Sequence, residues 1–380
     1  MSLEALAEIS RYYGKNPDYV LGGGGNTSWK DNDTLYVKAS GSSLAEASVD
    51  SFVKMDRKAL SVILEKKYPV NDKERESAVL ADMMSAKRAS EEAKRPSVEA
   101  LLHEIFPFSY TVHLHPALVN GLTCSVRGEQ AMREIFNDDA IWIPSTNPGY
   151  ILSILVKKEI DAYYKKHSRQ VHIVFLQNHG VFAGADSVDG IKELYAQIMS
   201  KLSARITRKP DFSQEDFSQR RGDAENAEEE KEKIFEIIQT LSKLAGASAF
   251  MTNSEISNIL KDRASFAPFS SAFTPDRIVY SGSDPLFTEA QTTDGILADW
   301  KKHEEKTGRK AKIIAVQGLG IFSATATEKA AKLALELFRD TIKVSVYSES
   351  FGGPLFMTKE KIDFINNWEV ERFRSNISTK

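Results

Sequence analysis

The chain has 380 residues, 42% of them hydrophobic and 27% charged, a formal net charge of −3 and one cysteine, Cys124. A chain of this length is too long for one ordinary hydrophobic core and suits two domains. The near-neutral net charge gives no electrostatic reason to expect a nucleic-acid partner. One cysteine excludes an intramolecular disulfide, and no apolar run approaches the ~20 residues that cross a bilayer, so we expect a cytoplasmic protein without a membrane partner.

The N-terminal region predicts a helix, a glycine turn and a strand. It has no basic segment followed by an apolar run, so no signal peptide is expected. Apolar residues from Leu3 to Tyr13 have helical spacing. The run Gly22 to Trp29 opens with four glycines and predicts a turn or a tight backbone feature. Thr34 to Ala39 predicts a strand that ends at Ser40-Gly41-Ser42-Ser43. Helices are predicted next over 57–66 and 74–88.

The middle of the chain predicts two strands that end in histidine-containing segments. Pro96-Ser97-Val98-Glu99 is typical of a helix start, with Ser97 as the N-cap candidate. Tyr110 to Pro116 predicts a strand that contains His113 and His115. Val171 to Leu176 predicts a buried strand followed by the turn Gln177-Asn178-His179-Gly180, and a long amphipathic helix is predicted over 187–206.

The second half repeats part of the first. Residues 209–233 are charged and poor in large aliphatics, which predicts a linker or an exposed helix between two domains, over 1–208 and 234–380. Ala311 to Phe322 echoes Val171 to Phe182, and each run is followed by a predicted helix, which in the second half covers 328–341. In this register Leu319 stands where His179 stands, so the second domain is predicted to keep the fold and to lack the metal ligands.

His113, His115 and His179 are the candidate metal ligands. On a strand, residues i and i+2 point to the same face, so His113 and His115 would form half of a site, and His179 at a strand end would complete it. Three imidazoles with open positions are the pattern of a catalytic metal. The expected ion is divalent, with zinc named first, although iron, cobalt and manganese also accept imidazole nitrogen. The alternative is ordinary surface or core histidines.

Glu99 is the candidate catalytic carboxylate, although a glutamate at a helix start also serves helix stability alone. Gly22 to Ser28 and Ser40-Gly41 offer backbone amides and hydroxyls that can cradle a phosphate. Neither loop matches a P-loop or a dinucleotide fingerprint.

Together these motifs resemble the class II aldolase/adducin family. The resemblance covers roughly the first 205 residues and rests on five motifs in order: Gly25-Asn26-Thr27-Ser28, Lys38-Ala39-Ser40-Gly41, Pro96-Ser97-Val98-Glu99, His113-Leu114-His115-Pro116 and Asn178-His179-Gly180. The second half resembles the aldolase portion of rhamnulose-phosphate aldolase/dehydrogenase proteins through residues 316–322, Gly352-Gly353-Pro354 and residues 367–371.

The resemblance implies an α/β fold, with an α/β/α sandwich around a largely antiparallel sheet followed by the degenerate copy. It implies His113, His115 and His179 as metal ligands and Glu99 as the catalytic group, a role that suits a carboxylate whose pKa is raised by a dry site. It also implies phosphate contacts by Asn26, Ser40, Gly41 and Ser97. Val98 and Lys38 depart from the usual small hydroxyl residues, which puts the phosphate group and the exact substrate in question.

The implied reaction is cleavage of a ketose 1-phosphate, of the rhamnulose- or fuculose-phosphate type, to dihydroxyacetone phosphate and a short aldehyde. The same groups could instead run an epimerisation, a dehydration or a decarboxylation, since all pass through an enolate. A non-enzymatic, adducin-like interaction module is the alternative from another class. A sugar phosphate and further copies of this chain, as a homo-oligomer, are the expected partners.

Overall fold

A computed structural model describes residues 2–89, 94–213, 224–370 and 373. The first half contains a seven-stranded sheet. Its strands are β1 (Asn26–Lys30), β2 (Thr34–Lys38), β3 (Phe52–Asp56), β4 (Tyr110–Leu114), β5 (Ala140–Ile143), β6 (Ile173–Leu176) and β7 (Gly180–Ala185). Their order is β3-β2-β1-β4-β7-β6-β5, and every neighbouring pair is antiparallel except β5 with β6. The predicted, largely antiparallel sheet is therefore confirmed.

Helices cover both faces of this sheet. They are α1 (Leu3–Gly14), α2 (Arg57–Glu65), α3 (Asp72–Ser85), α4 (Ala100–Ile105), α5 (Ala117–Thr123), α6 (Gly128–Phe136), α7 (Tyr150–His167) and α8 (Val188–Ser203). Alternate residues of a strand enter different cores, as the period of two requires. Along β6, Ile173 and Phe175 join the core with α1 and α8, while Val174 and Leu176 join the core with α4 and α7.

The glycine run ends earlier than the sequence indicated. The turn is confined to the glycines, because Asn26–Lys30 is the strand that hydrogen-bonds to both β2 and β4. Asn26 thereby pairs directly with His113 in the sheet. Two polar residues of separate motifs are brought side by side by strand pairing.

A second, four-stranded sheet occupies the second half. Its strands are β8 (Ala247–Met251), β9 (Leu286–Thr288), β10 (Ile313–Val316) and β11 (Gly320–Thr325), in the order β8-β11-β10-β9. The helices of this half are α9 (Ala224–Ala245), α10 (Ser254–Ile259), α11 (Arg263–Phe266), α12 (Thr293–Thr307), α13 (Glu328–Ser348) and α14 (Lys359–Asn367). The helix α13 covers one face of the sheet, and α9 with α12 covers the other.

The two sheets share one topology. The order β8-β11-β10-β9 repeats β4-β7-β6-β5, with the same parallel and antiparallel pairings. Val174 pairs with Phe182 in the first sheet and Ile314 pairs with Phe322 in the second, a constant offset of 140. The predicted second copy is present as a fold, without counterparts of β1 to β3 among the described residues.

The halves are in direct contact. The helix α13 packs against α5, where any side chain at Gly121 would meet the Tyr347 Cβ atom at 2.4 Å. Backbone hydrogen bonds join residues 124–127 to residues 351–355. Of the region predicted as a linker or an exposed helix, residues 214–223 lie outside the described residues, and α9 begins at Ala224. The domain boundaries remain a prediction.

No helix among the described residues is long and apolar enough to span a membrane.

Candidate metal centre and anion pocket

Three histidines meet at the end of β4 and the turn between β6 and β7. His113 lies within β4 and is fully buried, His115 follows that strand, and His179 is in the turn. The His113 Nε2 atom lies 2.8 Å from Nε2 of His115 and 3.4 Å from Nε2 of His179. The three ligand atoms lie within 4.8 Å of one another, so the structure brings together the predicted trio.

Hydrogen bonds fix which ring nitrogens are free. The Nδ1 atom of His113 lies 3.0 Å from the carbonyl oxygen of Val181, which can only accept. The Nδ1 atom of His115 lies 2.5 Å from a carboxylate oxygen of Asp276. Both Nδ1 atoms therefore carry a proton, and both Nε2 atoms present lone pairs to one point. Carboxylate and carbonyl partners of this kind are what orient histidine ligands of metals.

Glu99 completes this cluster. Its Oε1 atom is buried, accepts no hydrogen bond, and lies 3.4 Å from Nε2 of both His113 and His179. Converging lone pairs and an unsatisfied carboxylate oxygen repel one another unless a cation lies between them. The donor set thus fits a divalent metal ion.

The electrostatics at Glu99 differ from the sequence-based expectation. Burial raises the pKa of the Glu99 carboxyl, but the facing imidazoles of His113, His179 and His115, when they carry a positive charge, outweigh burial and hold the pKa at about 2. The expected raised pKa was therefore wrong for this cluster, because the sequence does not reveal how many imidazoles face the carboxylate. Burial lowers the pKa of His113 well below its ordinary value.

A buried hydrogen-bond chain holds Glu99 from behind. The Asn26 side-chain amide donates to Glu99 Oε2 at 2.5 Å and to the Ser97 hydroxyl at 3.2 Å. The Asn26 carbonyl oxygen accepts from Nε2 of His103, whose Nδ1 atom lies 2.7 Å from the Ser28 hydroxyl. Burial lowers the pKa of His103 to about 3, so this imidazole is neutral.

The helix start at Glu99 is shifted from its predicted position. Glu99 is the N-cap of α4 and precedes its first turn, and Ser97 accepts a hydrogen bond from the Glu99 backbone N–H at 3.2 Å. Ser97 thus caps the turn before the helix. A carboxylate outside the helix can bend towards the histidines while α4 continues away from them.

Glycine allows the close approach that this geometry needs. A Cβ atom at Gly180 would lie 2.5 Å from the Leu114 carbonyl oxygen and 2.7 Å from Cδ2 of His115. Only a glycine after His179 lets the turn lie this close to β4.

The predicted phosphate-contacting residues line one cavity beside Glu99. The residues that line it are Gly23, Gly25, Asn26, Lys38, Ser40, Gly41, Ser97, Val98, Glu99, His115 and Val370. Lys38 is buried and donates to the carbonyl oxygens of Ser42, at 2.6 Å, and Gly23, at 3.3 Å. An ammonium group, two hydroxyls and backbone amides in one cavity form a suitable cradle for an anion.

The second half contributes to this site. Asp276, which is buried, hydrogen-bonds His115, and a Cβ atom at Gly24 would lie 2.4 Å from its Oδ2 atom. Val370 closes one side of the cavity, and the preceding Glu369 forms an ion pair with Arg95, at 2.8 and 3.1 Å. Sequence reasoning missed Asp276, which is 161 residues from His115 and belongs to no motif. It also missed His103, for which the four-residue spacing from Glu99 was an available signal.

The second sheet has no histidines at the positions that match the three of the first sheet. By strand register Phe250 takes the place of His113, and Leu319 that of His179. Thr252, one residue beyond Met251, takes the place of His115. The predicted loss of the ligands in the second copy agrees with this register.

Comparisons with known proteins agree with the first half. The family model described as "Class II Aldolase and Adducin N-terminal domain" matches residues 4–200. A protein of Bacillus subtilis (strain 168), "Uncharacterized oxidoreductase YuxG", is 26% identical over 188 residues, 47% of this chain and 26% of that protein. The matched region is thus only about a quarter of that relative's length.

Solved structures give more distant similarities. The N-terminal class II aldolase domain of a conserved protein from Thermoplasma acidophilum is 22% identical, with 54% of this chain and 93% of that chain covered and a TM-score of 0.45. YgbL from Escherichia coli, a putative aldolase/epimerase/decarboxylase, is 15% identical, with 52% and 85% covered and a TM-score of 0.35. Family membership rests on the sequence match over residues 4–200.

Proposed function

The chain belongs to the class II aldolase and adducin family, and from that premise we propose that it is a metal-dependent aldolase. Its substrate would be a ketose 1-phosphate of the rhamnulose- or fuculose-phosphate type, cleaved to dihydroxyacetone phosphate and a short aldehyde. The observation that supports this most is the convergence of three histidine Nε2 atoms and Glu99 Oε1 beside a cavity that contains Lys38.

His113, His115 and His179 would hold the divalent ion, which we take to be zinc. When bound, the ion supplies Lewis-acid polarisation of the substrate carbonyl and stabilises the negative charge that develops as the carbon–carbon bond breaks. Asp276 and the Val181 carbonyl keep the two strand-end imidazoles in the tautomer and orientation that this requires.

Glu99 would move the proton at the carbon that becomes the enediolate. Its two oxygens have separate tasks, since Asn26 holds Oε2 while Oε1 faces the imidazoles. Oε1 is therefore the atom that takes and returns the proton. The neutral His103 keeps Asn26 in this orientation, because its Nε2 donates to the Asn26 carbonyl oxygen.

The substrate phosphate would lie in the cavity of Lys38, Ser40, Gly41 and Ser97. Lys38, a departure from the family pattern, supplies a positive charge here and so offsets the lost hydroxyl. Asn26 already donates to Glu99 and to Ser97, so it could reach the phosphate only by giving up the Ser97 contact. We therefore assign Asn26 chiefly to the positioning of Glu99.

Epimerisation, dehydration and decarboxylation remain alternative reactions for the same groups. The adducin-like alternative is disfavoured for the first half, where all three histidines converge, and suits the second half, where they are replaced. The oxidoreductase name of the Bacillus relative is not carried over, because the match covers only 26% of that protein.

A panel assay tests this proposal. The protein, stripped of metal and reloaded with zinc, manganese, cobalt or nickel, is given rhamnulose, fuculose, ribulose and xylulose 1-phosphates. We expect dihydroxyacetone phosphate and a short aldehyde from at least one ketose. Release of water, or a change of configuration without cleavage, would replace the aldolase proposal by a dehydratase or an epimerase proposal.

A further inference from the structure

A second cavity lies in the second half, on the far end of β10 from the turn that matches the metal site. Its volume is about 220 Å³. It is formed by residues 278–284, the C-terminal part of α12, residues 309–312 and α14. His303, whose buried Nε2 atom has no hydrogen-bond partner, and the carboxylate of Asp284 are among the residues that line it. Arg277, whose Nε and Nη2 atoms are also buried without a partner, directly precedes the lining residue Ile278.

Arg277 does not line the cavity itself, but it is joined to two lining residues, to Ile278 along the chain and to Gly282 by a hydrogen bond. Its side chain is 1% exposed, its Nη1 atom donates to the carbonyl oxygen of Gly282 at 2.5 Å, and its guanidinium lies 4.9 Å from the centre of the Phe338 ring. Burial lowers the pKa of Arg277 to about 9, which the nearby Asp284 only partly offsets. No carboxylate lies within 4.0 Å of this guanidinium in the part of the chain that the structure describes.

Lys312 is a second buried cation in the same place. Its ammonium donates to the carbonyl oxygen of Val279 at 2.7 Å. Burial, and then the charge of Arg277, lower the pKa of Lys312 to about 8. Among the described residues it too has no carboxylate within 4.0 Å. The cavity is also lined by Lys310 and by Arg309, which is 3.7 Å from Asp363.

Two adjacent buried cations without a close counter-charge are costly in a folded protein. An anion in the cavity lowers this cost, because the Lys312 ammonium gains a charge-assisted hydrogen bond and the buried charge of Arg277 gains an opposite charge nearby. A carboxylate offers two oxygens, whereas a phosphate offers three and a larger charge, which suits several donors better. Ile278, Val279 and Ile365 line one part of the cavity and suit a small organic group, and Ser283, Asp284 and Asn366 line another part.

We propose that this cavity binds a small phosphate monoester, with its phosphate against Lys312, His303 and the Arg277 side of the wall. The organic part would contact Ile278 and Ile365. This site is independent of the proposed aldolase activity and would be present whatever reaction the first half performs.

Methyl NMR tests the proposal locally. Inorganic phosphate, with acetate at matched ionic strength as the comparison, is titrated into full-length protein with labelled isoleucine methyl groups. Ile278 and Ile365 report this cavity without interference from phosphate bound near Lys38. We expect saturable shifts of both methyls with phosphate and at least about tenfold weaker shifts with acetate.

Two variants separate binding from folding. Lys312→Met keeps the side-chain length and removes the charge, so phosphate affinity at these methyls should fall about tenfold or more, since one charge-assisted hydrogen bond is lost. Lys301→Met, an exposed lysine of α12, is the matched control and should bind like the wild type. In phosphate-free buffer Lys312→Met should be at least as stable as the wild type. Added phosphate should raise the melting temperature of the wild type more than that of Lys312→Met. Methyl resonances that phosphate leaves unmoved, or that move equally in Lys312→Met, would overturn the proposal.

Discussion

Glu99 is the residue on which the proposed chemistry depends. One of its oxygens is held by Asn26 at 2.5 Å and the other accepts no hydrogen bond, although it is buried. Such an atom is costly in a structural role, because an unsatisfied buried acceptor destabilises the fold by about 1–3 kcal/mol. A group kept in this state is better explained by reaction with substrate.

Glu99→Gln should lower turnover by roughly 10²–10⁴, the usual contribution of a positioned general base. The amide keeps the shape and can still accept from Asn26, and the three histidines remain, so metal content should persist. Steady-state kinetics and metal analysis of one sample check this.

Glu104→Gln is the matched control for this variant. Glu104 lies on α4 but pairs with Arg57, at 2.9 Å, away from the histidines. The turnover of the Glu104→Gln variant should stay close to that of the wild type. Normal turnover in fully metal-loaded Glu99→Gln would remove Glu99 from the mechanism.

The site residues were predictable from the sequence to the extent that they lie in short motifs. Strand periodicity placed His113 and His115 on one face, the turn after a buried strand suggested His179, and a helix start suggested Glu99. The family resemblance then supported all four. Asp276 was not predictable, because its contact with His115 depends on how the halves pack. The sequence marked Lys38 only as a departure from the small hydroxyl residue usual in the family, and its place in the lining of the cavity became visible only in the fold.

At the scale of elements, α4 and β1 form a buried polar unit beneath the site. Lys30 of β1 donates to the carbonyl oxygens of His103, Glu104 and Phe106, which are the free carbonyls at the end of α4. Glu99 is at the other end of that helix. The position of the carboxylate is therefore set by the packing of a helix whose two ends are both held by polar groups.

His103 makes this unit sensitive to acid. Its pKa is about 3 in the folded protein, below the ordinary value of 6.5, because burial disfavours the charged imidazole. Below pH 6.5 the unfolded chain takes up a proton that the folded chain refuses, so stability falls as the pH drops from about 6.5 towards 3. The loss from this group approaches about 1.4 kcal/mol per pH unit.

Urea unfolding of metal-free protein between pH 4.5 and 6.5 checks this contribution. The variant His103→Gln has no imidazole to protonate in this pH range. The slope of its unfolding free energy against pH should therefore be smaller than that of the wild type, by an amount equivalent to nearly one bound proton. Equal slopes in the wild type and the variant would mean that His103 is already protonated in the fold.

The elements themselves were largely predictable, and their ends less so. Helices α1, α2, α8 and the first turns of α13 fall where apolar spacing placed them. The strand at Asn26–Lys30 was hidden by the glycines before it, because local composition favoured a turn and only pairing with β2 and β4 decides for a strand. The three-residue β9 gives too short a pattern to be recognised.

At the scale of the whole molecule, one half carries the three histidines proposed as metal ligands, and the other half contacts one of them through Asp276. The second sheet repeats the topology of β4 to β7 with an offset of 140, yet Phe250 and Leu319 replace two of the histidines. Its retained contribution is Asp276, together with Val370 at the rim of the cavity. A homo-oligomer and a cytoplasmic location stay predictions.

Asp276→Asn tests whether the second half tunes the metal site. The amide can still accept from His115 but lacks the negative charge that makes the imidazole a better ligand. Metal affinity, measured by competition with a chelator, should fall by about 10–100-fold. Asp18→Asn, a carboxylate that pairs with Lys343 between the same halves, should leave the affinity unchanged. Equal affinities for all three proteins would limit the second half to packing.

The central claim is that the histidines and Glu99 together form an enediolate from dihydroxyacetone phosphate. Hydrogen exchange in D₂O tests it most directly, because this half-reaction needs no knowledge of the aldehyde. The metal-loaded protein should replace one hydrogen of the hydroxymethyl carbon with deuterium. The loss of that hydrogen's signal is measured by ¹H NMR. Exchange should stop on chelation and fall roughly 10²–10⁴-fold in Glu99→Gln. Fully metal-loaded wild-type protein that leaves dihydroxyacetone phosphate unexchanged would contradict the account.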